Sequence, residues 1–409
     1  MNNYIYLILD FNASKRYSHH WSYVSKYKII LENLKMPYEI WIPKNAHSEI
    51  SLSLGKNCKT FLRSNVYGYG RKESFYNWVV VKTFDFFLIR CKVLFDNDKL
   101  EIIKKLISKL YTNAPYKQIK AISNSQVAIN LVFPTLDSLA FRLVERCLKR
   151  GIPIKKVSFR LGSGYKDNFK IDDIEIRLRK LITNFPECDI KLGYETFTHK
   201  QSLLNHGLDS TYLFWAPAPS STKDATSKKD LHNLTLGFLG VARPNKGFVE
   251  IPKLLRSLIS HDISFTAILQ EAMYPWSEYV NTIQELKNFS RILTILPANI
   301  SEQELESVFK SIDVLVLPYN TEDYYLAGSG LLFDAADLHI PIITKKGVAF
   351  EWDITEYSLG LTYSNSEDFV LGIKHLLSTE NNFKFKKYNY DRNLAIAAFL
   401  GIKDELYSK

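Results

Sequence analysis

Residues 236–248 read Leu-Gly-Phe-Leu-Gly-Val-Ala-Arg-Pro-Asn-Lys-Gly-Phe, an apolar run that ends at a glycine and then offers an arginine and a lysine three residues apart. Glycine lets the backbone approach a ligand closely, and two cations can neutralise a polyanion such as a diphosphate. An ordinary strand-to-helix turn with two solvated cations has the same pattern. On this stretch alone both interpretations stand, and the rest of the chain has to decide between them.

The length and composition predict a packed protein of two domains. The chain has 409 residues, 46% of them hydrophobic and 23% charged, which is too long for one core of ordinary size and too apolar for a disordered protein. Residues 220–230 are polar and without periodicity and follow a proline-rich stretch, so they are predicted to be the linker. The predicted domains are then residues 1–219 and 231–388, followed by a C-terminal helix in residues 389–409.

The positive charge is concentrated in the first of these domains. The whole chain carries a net charge of +10, and residues 1–219 contain 34 Lys and Arg against 19 Asp and Glu, a net charge of +15. The first domain is therefore expected to face an anionic partner, such as a phospholipid, a lipid-linked phosphate, nucleic acid or an acidic glycan. A plain excess of surface lysine is the alternative. Nucleic acid is disfavoured because no recognised binding module or interleaved basic and aromatic array is present.

The cysteines and the N-terminus indicate a cytoplasmic protein. The four cysteines are far apart in the sequence and include no Cys-x-x-Cys pair, so neither a zinc site nor a disulfide framework is predicted. The apolar run Tyr4–Leu9 is too short for a signal-peptide core, and no window approaches the roughly 20 apolar residues of a membrane span. We expect a cytoplasmic location, at most with peripheral contact to an anionic membrane. The cysteines are Cys58, Cys91, Cys147 and Cys188.

Short apolar runs alternate with helical patterns along the first half, which is typical of a parallel sheet. An apolar run at Phe84–Phe95 and a basic amphipathic helix at Lys99–Tyr111 complete the pattern; that helix could cover the sheet or lie on anionic lipid. The predicted strands are Tyr4–Leu9, Tyr38–Ile42, Val127–Phe133, Val157–Leu161, Ile190–Tyr194 and Tyr212–Trp215. The predicted helices are Trp21–Leu34, Leu136–Lys149 and Thr198–Asn205.

The second half repeats the alternation. The sequence Ser301-Glu-Gln-Glu304 is a capping box that marks the start of a helix, and Tyr390–Tyr407 has helical spacing. The predicted strands are Thr235–Leu239, Phe265–Leu269, Ile292–Leu296, Val314–Leu317 and Ile340–Ile343. The predicted helices are Val249–Ser260, Ser277–Phe289, one from Ser301 and one around Gly330–Leu338. The fold class is therefore α/β, with two doubly wound domains whose ligands bind beyond the carboxyl ends of the strands.

The segment Ser301–Thr344 contains the stretches Ser-Ile-Asp-Val-Leu-Val-Leu-Pro-Tyr at 311–319 and Tyr-Tyr-Leu-Ala-Gly-Ser-Gly-Leu-Leu-Phe-Asp at 324–334. The motif Gly240-Val-Ala-Arg-Pro-Asn-Lys-Gly247 lies upstream of it. In this order and at this spacing, the two segments together resemble the donor-site half of the GT-B glycosyltransferases, most closely the GT4-type group. The resemblance implies two Rossmann-like domains facing across a cleft, with a C-terminal helix that crosses back to the first domain.

The resemblance also assigns roles in donor binding. Arg243 and Lys246 match the basic pair that holds the donor diphosphate and stabilises the leaving nucleoside diphosphate without a metal ion. Ser329 and Gly330 open a helix whose N–H groups could meet a phosphate. Asp334 occupies the position of a glutamate that binds the ribose hydroxyls, although a surface acid on the helix is the alternative.

The chain departs from the family pattern at the sugar end of the donor. Leu326 stands where the family has its first glutamate, and it can play no polar role toward the sugar. The aspartate at 334 also shortens the reach of that side chain by one methylene. Tyr319, Tyr324 and Tyr325 could line the nucleotide pocket, or could simply pack together in a loop.

The first domain offers candidates of its own. The stretch Asp10–Tyr23 is similar to the loop after the first strand of these enzymes, and its His19 and His20 could bind the donor or act as a base, unless they are merely solvated. Asp10 and Arg160 are placed at strand ends, where they could meet the acceptor. Asp137 is the leading carboxylate for an inverting base, or else a helix cap.

The sequence therefore predicts a glycosyltransferase that moves a sugar from a nucleotide sugar, UDP- or GDP-linked, to a glycan or lipid-linked saccharide of the bacterial surface polysaccharide type. The resemblance implies a retaining reaction without metal or cofactor. A nucleotide-sugar epimerase of the same fold, or a non-catalytic subunit that binds a glycan or partner protein, are the alternatives. The sequence gives no oligomeric state.

Overall fold

The computed structural model describes residues 4–11, 19–44, 46, 48–62, 112–125, 127–136, 138–162, 171–218, 234–378 and 382–402. The chain divides into two compact units. The first contains Met1–Gly193, His206–Phe214 and Ala397–Lys409, and the second contains Tyr194–Asn205 and Trp215–Ile396. The predicted linker, the Phe84–Phe95 run and the Lys99–Tyr111 helix lie outside the described residues.

The strands of the first sheet in the described residues are β1 Tyr4–Leu9, β2 Tyr38–Pro43, β3 Cys58–Leu62, β4 Ala128–Phe133, β5 Ile154–Arg160, β6 Asp189–Tyr194 and β7 Leu213–Trp215. They are arranged in the order β3-β2-β1-β4-β5-β6-β7, and the pairs from β3 through β6 are parallel. The chain order reverses between β1 and β4, which is the switch point of a doubly wound sheet. The helices of this half are His19–Asn33, Ser48–Leu54, residues 112–123, Ser138–Lys149, Ile171–Asn184 and Phe197–Asn205.

The strands of the second sheet in the described residues are β8 Leu234–Phe238, β9 Phe265–Gln270, β10 Leu293–Leu296, β11 Val314–Leu317, β12 Ile342–Lys345 and β13 Gly360–Tyr363. They are parallel and are arranged in the order β10-β9-β8-β11-β12-β13. This is the strand order of the dinucleotide-binding fold, with its switch point between β8 and β11. The helices are Ile251–Ser260, Ser277–Leu286, Glu302–Ser311, Gly330–Asp337, Glu351–Glu356, Ser366–Ser378 and Phe385–Leu400.

The α/β class with two Rossmann-like parallel sheets is confirmed, as is the capping box, in which Ser301 and Glu304 exchange both hydrogen bonds. The predicted strand Ile340–Ile343 is shifted, because Pro341 has no N–H for the ladder and β12 starts at Ile342. The helix predicted from Val249 begins at Ile251, after a 3-10 turn. Within the described residues, no helix is both long enough and apolar enough to cross a bilayer.

The end of the C-terminal helix is held by the sheet of the first unit. The last carbonyl groups of a helix have no partner within it and need donors from elsewhere. Here each of four carbonyls accepts a hydrogen bond from a side chain on β1, β5 or β6, and two of the donors are lysines, which also suit the negative end of the helix. The bonds are Lys191 Nζ to Ala398 O (2.6 Å), Ser158 Oγ to Phe399 O (2.7 Å), Tyr6 OH to Leu400 O (3.3 Å) and Lys156 Nζ to Gly401 O (3.2 Å).

The earlier part of that helix is anchored in the second unit by Arg392. Its guanidinium lies 3.0 Å from the Asp337 carboxylate, at the end of the Gly330–Asp337 helix, and both side chains are fully buried. Arg392 also donates two hydrogen bonds to the carbonyl oxygen of Ala218, at 2.9 and 2.6 Å. A buried charge is tolerated only when it is paired and hydrogen-bonded, so this arginine links three separate segments of the unit.

Replacement of Arg392 by Ala should lower the free energy of unfolding by about 3–5 kcal/mol, because Asp337 would remain as an uncompensated buried charge. The matched control is Lys387→Ala on the same helix, where an exposed lysine pairs with Asp391 and the expected loss is below about 1 kcal/mol. Urea denaturation followed by circular dichroism measures both. Equal losses in the two variants would contradict the role given to Arg392.

Candidate functional site

The Gly240 turn, residues 239–247, follows the carboxyl end of β8 at the switch point of the second sheet. Gly240 has a φ of +83° and Gly247 a φ of +67°, a backbone conformation that other residues adopt at a cost. At Gly247 a β-carbon would lie 1.6 Å from the carbonyl oxygen of Pro318. Glycine is therefore required there for the turn to reach the residues that follow β11.

Lys246 is directed back into the turn. Its Nζ would be 2.5 Å from a β-carbon on Gly240, and it lies 5.8 Å from the centre of the Tyr319 ring, within cation–π range. Burial, and secondarily the nearby charge of Arg243, lower the pKa of Lys246 to about 8. The site thus holds its amine in a poorly hydrated place, where an anionic ligand would favour the charged form further.

Arg243 and two tyrosines form the adjoining part of the site. Arg243 is exposed and has an extended backbone immediately before the 3-10 turn Pro244–Lys246. The rings of Tyr319 and Tyr324 are 4.3 Å apart. Burial raises the pKa of both phenols, while the charge of Arg243 acts in the opposite direction. The two tyrosines therefore stay protonated and can donate hydrogen bonds from their hydroxyl groups.

The start of the helix Gly330–Asp337, here called the Gly330 helix, lies beside the turn. A β-carbon on Gly240 would be 2.8 Å from the Cδ1 atom of Leu331, in the first helical turn. Ser329 is the N-cap residue, but its side chain makes no capping hydrogen bond; its Oγ lies 3.5 Å from the Tyr319 hydroxyl. The first turn also contains no acidic residue. No side chain of this turn therefore neutralises the positive end of the helix, and its N–H groups suit a phosphate.

The other predicted residues of this half fall around the same helix. Asp334 is partly buried in its second turn. Tyr325 is 45% exposed. Leu326 is partly buried in the loop before the helix, and its carbonyl oxygen accepts a hydrogen bond from Thr196 Oγ1 at 3.3 Å.

One acidic residue beside this loop was not predicted from the sequence. Glu195 follows β6 and is 4% exposed, and its carboxyl carbon would lie 2.6 Å from a β-carbon on Gly328. It is 133 positions away in the chain, so no local pattern connects the two. The signal that was available is its position at the carboxyl end of a strand, where functional residues of parallel sheets collect.

In the first unit the structure places Asp10 and Arg160 at strand ends of the first sheet. Asp10 directly follows β1 and Arg160 ends β5, and each is 1% exposed. The Arg160 guanidinium donates to the carbonyl oxygen of Pro134 at 3.3 Å and covers the ring of Tyr23 at 3.6 Å. These two contacts give Arg160 a packing role within the unit, and its binding of the acceptor stays a prediction.

The remaining candidates of the first unit stay predictions. His19 and His20 are the first residues of the helix His19–Asn33, which fits their expected place after β1. Asp137 lies outside the described residues.

Two parallel-sheet units, with an anion-suited turn and a helix start at the switch point of the second, define the GT-B fold. No family model matches the chain, and no curated protein matches it by sequence. Solved structures do match it along nearly its whole length. Their sequence identity to this chain is so low that the similarity shows the fold alone. Among them is the lipopolysaccharide outer core galactosyltransferase WaaB in its apo form, with a TM-score of 0.59, 12% identity and coverage of 98% of this chain and 96% of that one.

Two further structures are similar to the same extent. A glycosyltransferase from Rickettsia africae has a TM-score of 0.58 at 12% identity and covers 100% of this chain and 97% of its own. Anabaena HepE, in complex with UDP and glucose, has a TM-score of 0.55 at 12% identity and covers 99% of each chain. The fold expected from the sequence is therefore found, while the finer GT4-type grouping stays a prediction.

Gly247→Ala should destabilise the second unit by at least about 2 kcal/mol, since the new methyl group would meet the Pro318 carbonyl and the positive φ would be strained. Gly330→Ala is the matched control, because its added methyl group would have no neighbour within 4 Å and its φ is ordinary. Thermal unfolding of both variants measures the difference. A Gly247→Ala variant with the stability of Gly330→Ala would show that the turn does not need glycine at 247.

Proposed function

We propose that this chain is a glycosyltransferase that moves a sugar from a nucleotide-sugar donor to a glycan or lipid-linked saccharide acceptor. The observation that carries the proposal is the meeting of three features at the β8/β11 switch point. These are the cations Arg243 and Lys246, the tyrosine pair, and the uncapped start of the Gly330 helix. Each suits a diphosphate, and together they match what a nucleoside diphosphate requires.

The chemistry that follows is transfer with departure of a nucleoside diphosphate. As the bond between the sugar and the diphosphate breaks, negative charge develops on the leaving phosphate oxygens. Arg243, Lys246 and the helix N–H groups are placed to stabilise that charge, and fixed cations are most effective where water is excluded. We propose a retaining reaction of the GT4 type that requires neither a metal ion nor a cofactor, with a UDP- or GDP-linked donor.

The proposed acceptor and the proposed location are inferred from the positive charge of the first 219 residues. The first 219 residues carry a net charge of +15, which suits an acceptor attached to a phosphate-bearing lipid or an acidic glycan at the cytoplasmic face of a membrane. Asp10 and Arg160 are the proposed acceptor-binding residues, and His19, His20 and Asp137 are the proposed catalytic residues of this unit.

A thermal-shift screen against UDP, GDP, CMP and dTDP and their sugar conjugates tests donor binding, because a ligand that binds the folded state raises its unfolding temperature. Arg243→Ala should abolish the shift and lower turnover by about 10²–10³-fold with an unchanged fold. Arg256→Ala, an exposed arginine paired with Glu285 on the same unit, is the control. No shift with any nucleotide, or wild-type turnover in Arg243→Ala, would refute the donor site.

Diphosphate binding should become pH-dependent above about pH 8. Below that value Lys246 is protonated in the free protein and binding takes up no proton at this residue. Above it the free amine is neutral and must gain a proton to pair with the anion, so affinity should fall by up to about tenfold per pH unit. Calorimetry at pH 9 in buffers of different ionisation enthalpy measures the proton uptake. Lys246→Met should lack it; equal uptake in wild type and variant would contradict the assignment.

A further inference from the structure

The carboxyl group of Glu195 occupies the place where residue 328 would carry a side chain. A β-carbon on Gly328 would lie 2.6 Å from the carboxyl carbon of Glu195 and 2.9 Å from its Oε1. Gly328 is two residues before the Gly330 helix and two after Leu326. A carboxylate from a distant part of the chain therefore lies against the loop that leads into the proposed phosphate site.

Two hydrogen bonds hold the chain around Glu195 in place. Thr196, the next residue, donates from Oγ1 to the carbonyl oxygen of Leu326 at 3.3 Å. The indole Nε1 of Trp215 donates to the carbonyl oxygen of Glu195 at 3.2 Å. Glu195 itself is 4% exposed. The backbone that carries this side chain is thus fixed, and the carboxylate is shielded from bulk water, where a charged acceptor forms its strongest hydrogen bonds.

The chemical groups of a nucleotide-sugar donor indicate what the Glu195 carboxylate could bind. If the diphosphate is held by Lys246 and the start of the Gly330 helix, the sugar bonded to it lies within reach of the preceding loop. Sugar hydroxyl groups donate well to carboxylates, whereas the hydrocarbon side chain of Leu326 can accept nothing. We propose that Glu195 accepts a hydrogen bond from a hydroxyl group of the donor sugar and so selects the sugar. This inference rests on the proposed function.

Because Glu195 is negatively charged, its loss should affect the free nucleotide and the nucleotide sugar differently if it binds the sugar. A purely structural role of Glu195 would not separate the two affinities. A carboxylate near the diphosphate repels it, so the loss of that charge does not weaken binding of the free nucleotide. Loss of the sugar contact weakens only the nucleotide sugar. General damage to the loop or to the helix start would instead weaken both ligands together.

The test compares dissociation constants for a free nucleotide and its sugar conjugate, UDP with UDP-glucose and GDP with GDP-mannose, by calorimetry. Glu195→Gln keeps the size of the side chain, and Gly328→Ala displaces the carboxyl group without removing it. Both should lower the affinity for the sugar conjugate by about 10–100-fold and leave the affinity for the free nucleotide equal or higher. Glu356→Gln, an exposed glutamate of the same unit, should change neither.

Two results would overturn the assignment of Glu195. One is an unchanged ratio of the two dissociation constants in Glu195→Gln, and the other is an equal loss for both ligands in both variants. Failure of the proposed function is recognised separately, because the wild-type protein would then bind neither free nucleotide, and the role of Glu195 would fall with it.

Discussion

At Gly247 the backbone turns through a positive φ directly against the carbonyl oxygen of Pro318. This close approach joins the loop after β8 to the loop after β11, and the N–H of Asn320 completes the connection by donating to the carbonyl oxygen of Asn245 at 3.0 Å. Only a residue without a side chain permits it. The placement of Lys246 beside Tyr319 and of the turn beside the Gly330 helix follows from that contact.

The site brings two positive charges and a helix start close together. Lys246 lies between a glycine and an aromatic ring, where burial lowers its pKa. Arg243 has an extended backbone and an exposed side chain, and the side chain of the N-cap serine makes no capping hydrogen bond. Clustered cations with shifted pKa values are common at functional sites, and the arrangement agrees with the anionic donor that we propose.

The second unit also shows how the Gly330 helix is kept in position. Its start packs on the Gly240 turn through Leu331, and its end is tied to the C-terminal helix by the buried pair of Asp337 and Arg392. The helix is only eight residues long, too short to be stable alone. Its orientation therefore depends on tertiary contacts, which include these two and the packing of its buried face.

The sequence by itself determined the α/β class, most strand positions and the Gly240 turn, because buried parallel strands and glycine turns have strong local signals. It did not predict the strand Gly360–Tyr363, which contains a glycine and is only partly buried, or the helix Ile171–Asn184, whose buried Ile174, Leu178 and Leu181 repeat at helical spacing and did carry a signal. Only the tertiary structure decided that Glu195 meets Gly328 and that Arg392 pairs with Asp337. These contacts join residues 133 and 55 positions apart, and no local sequence pattern connects residues so far apart in the chain.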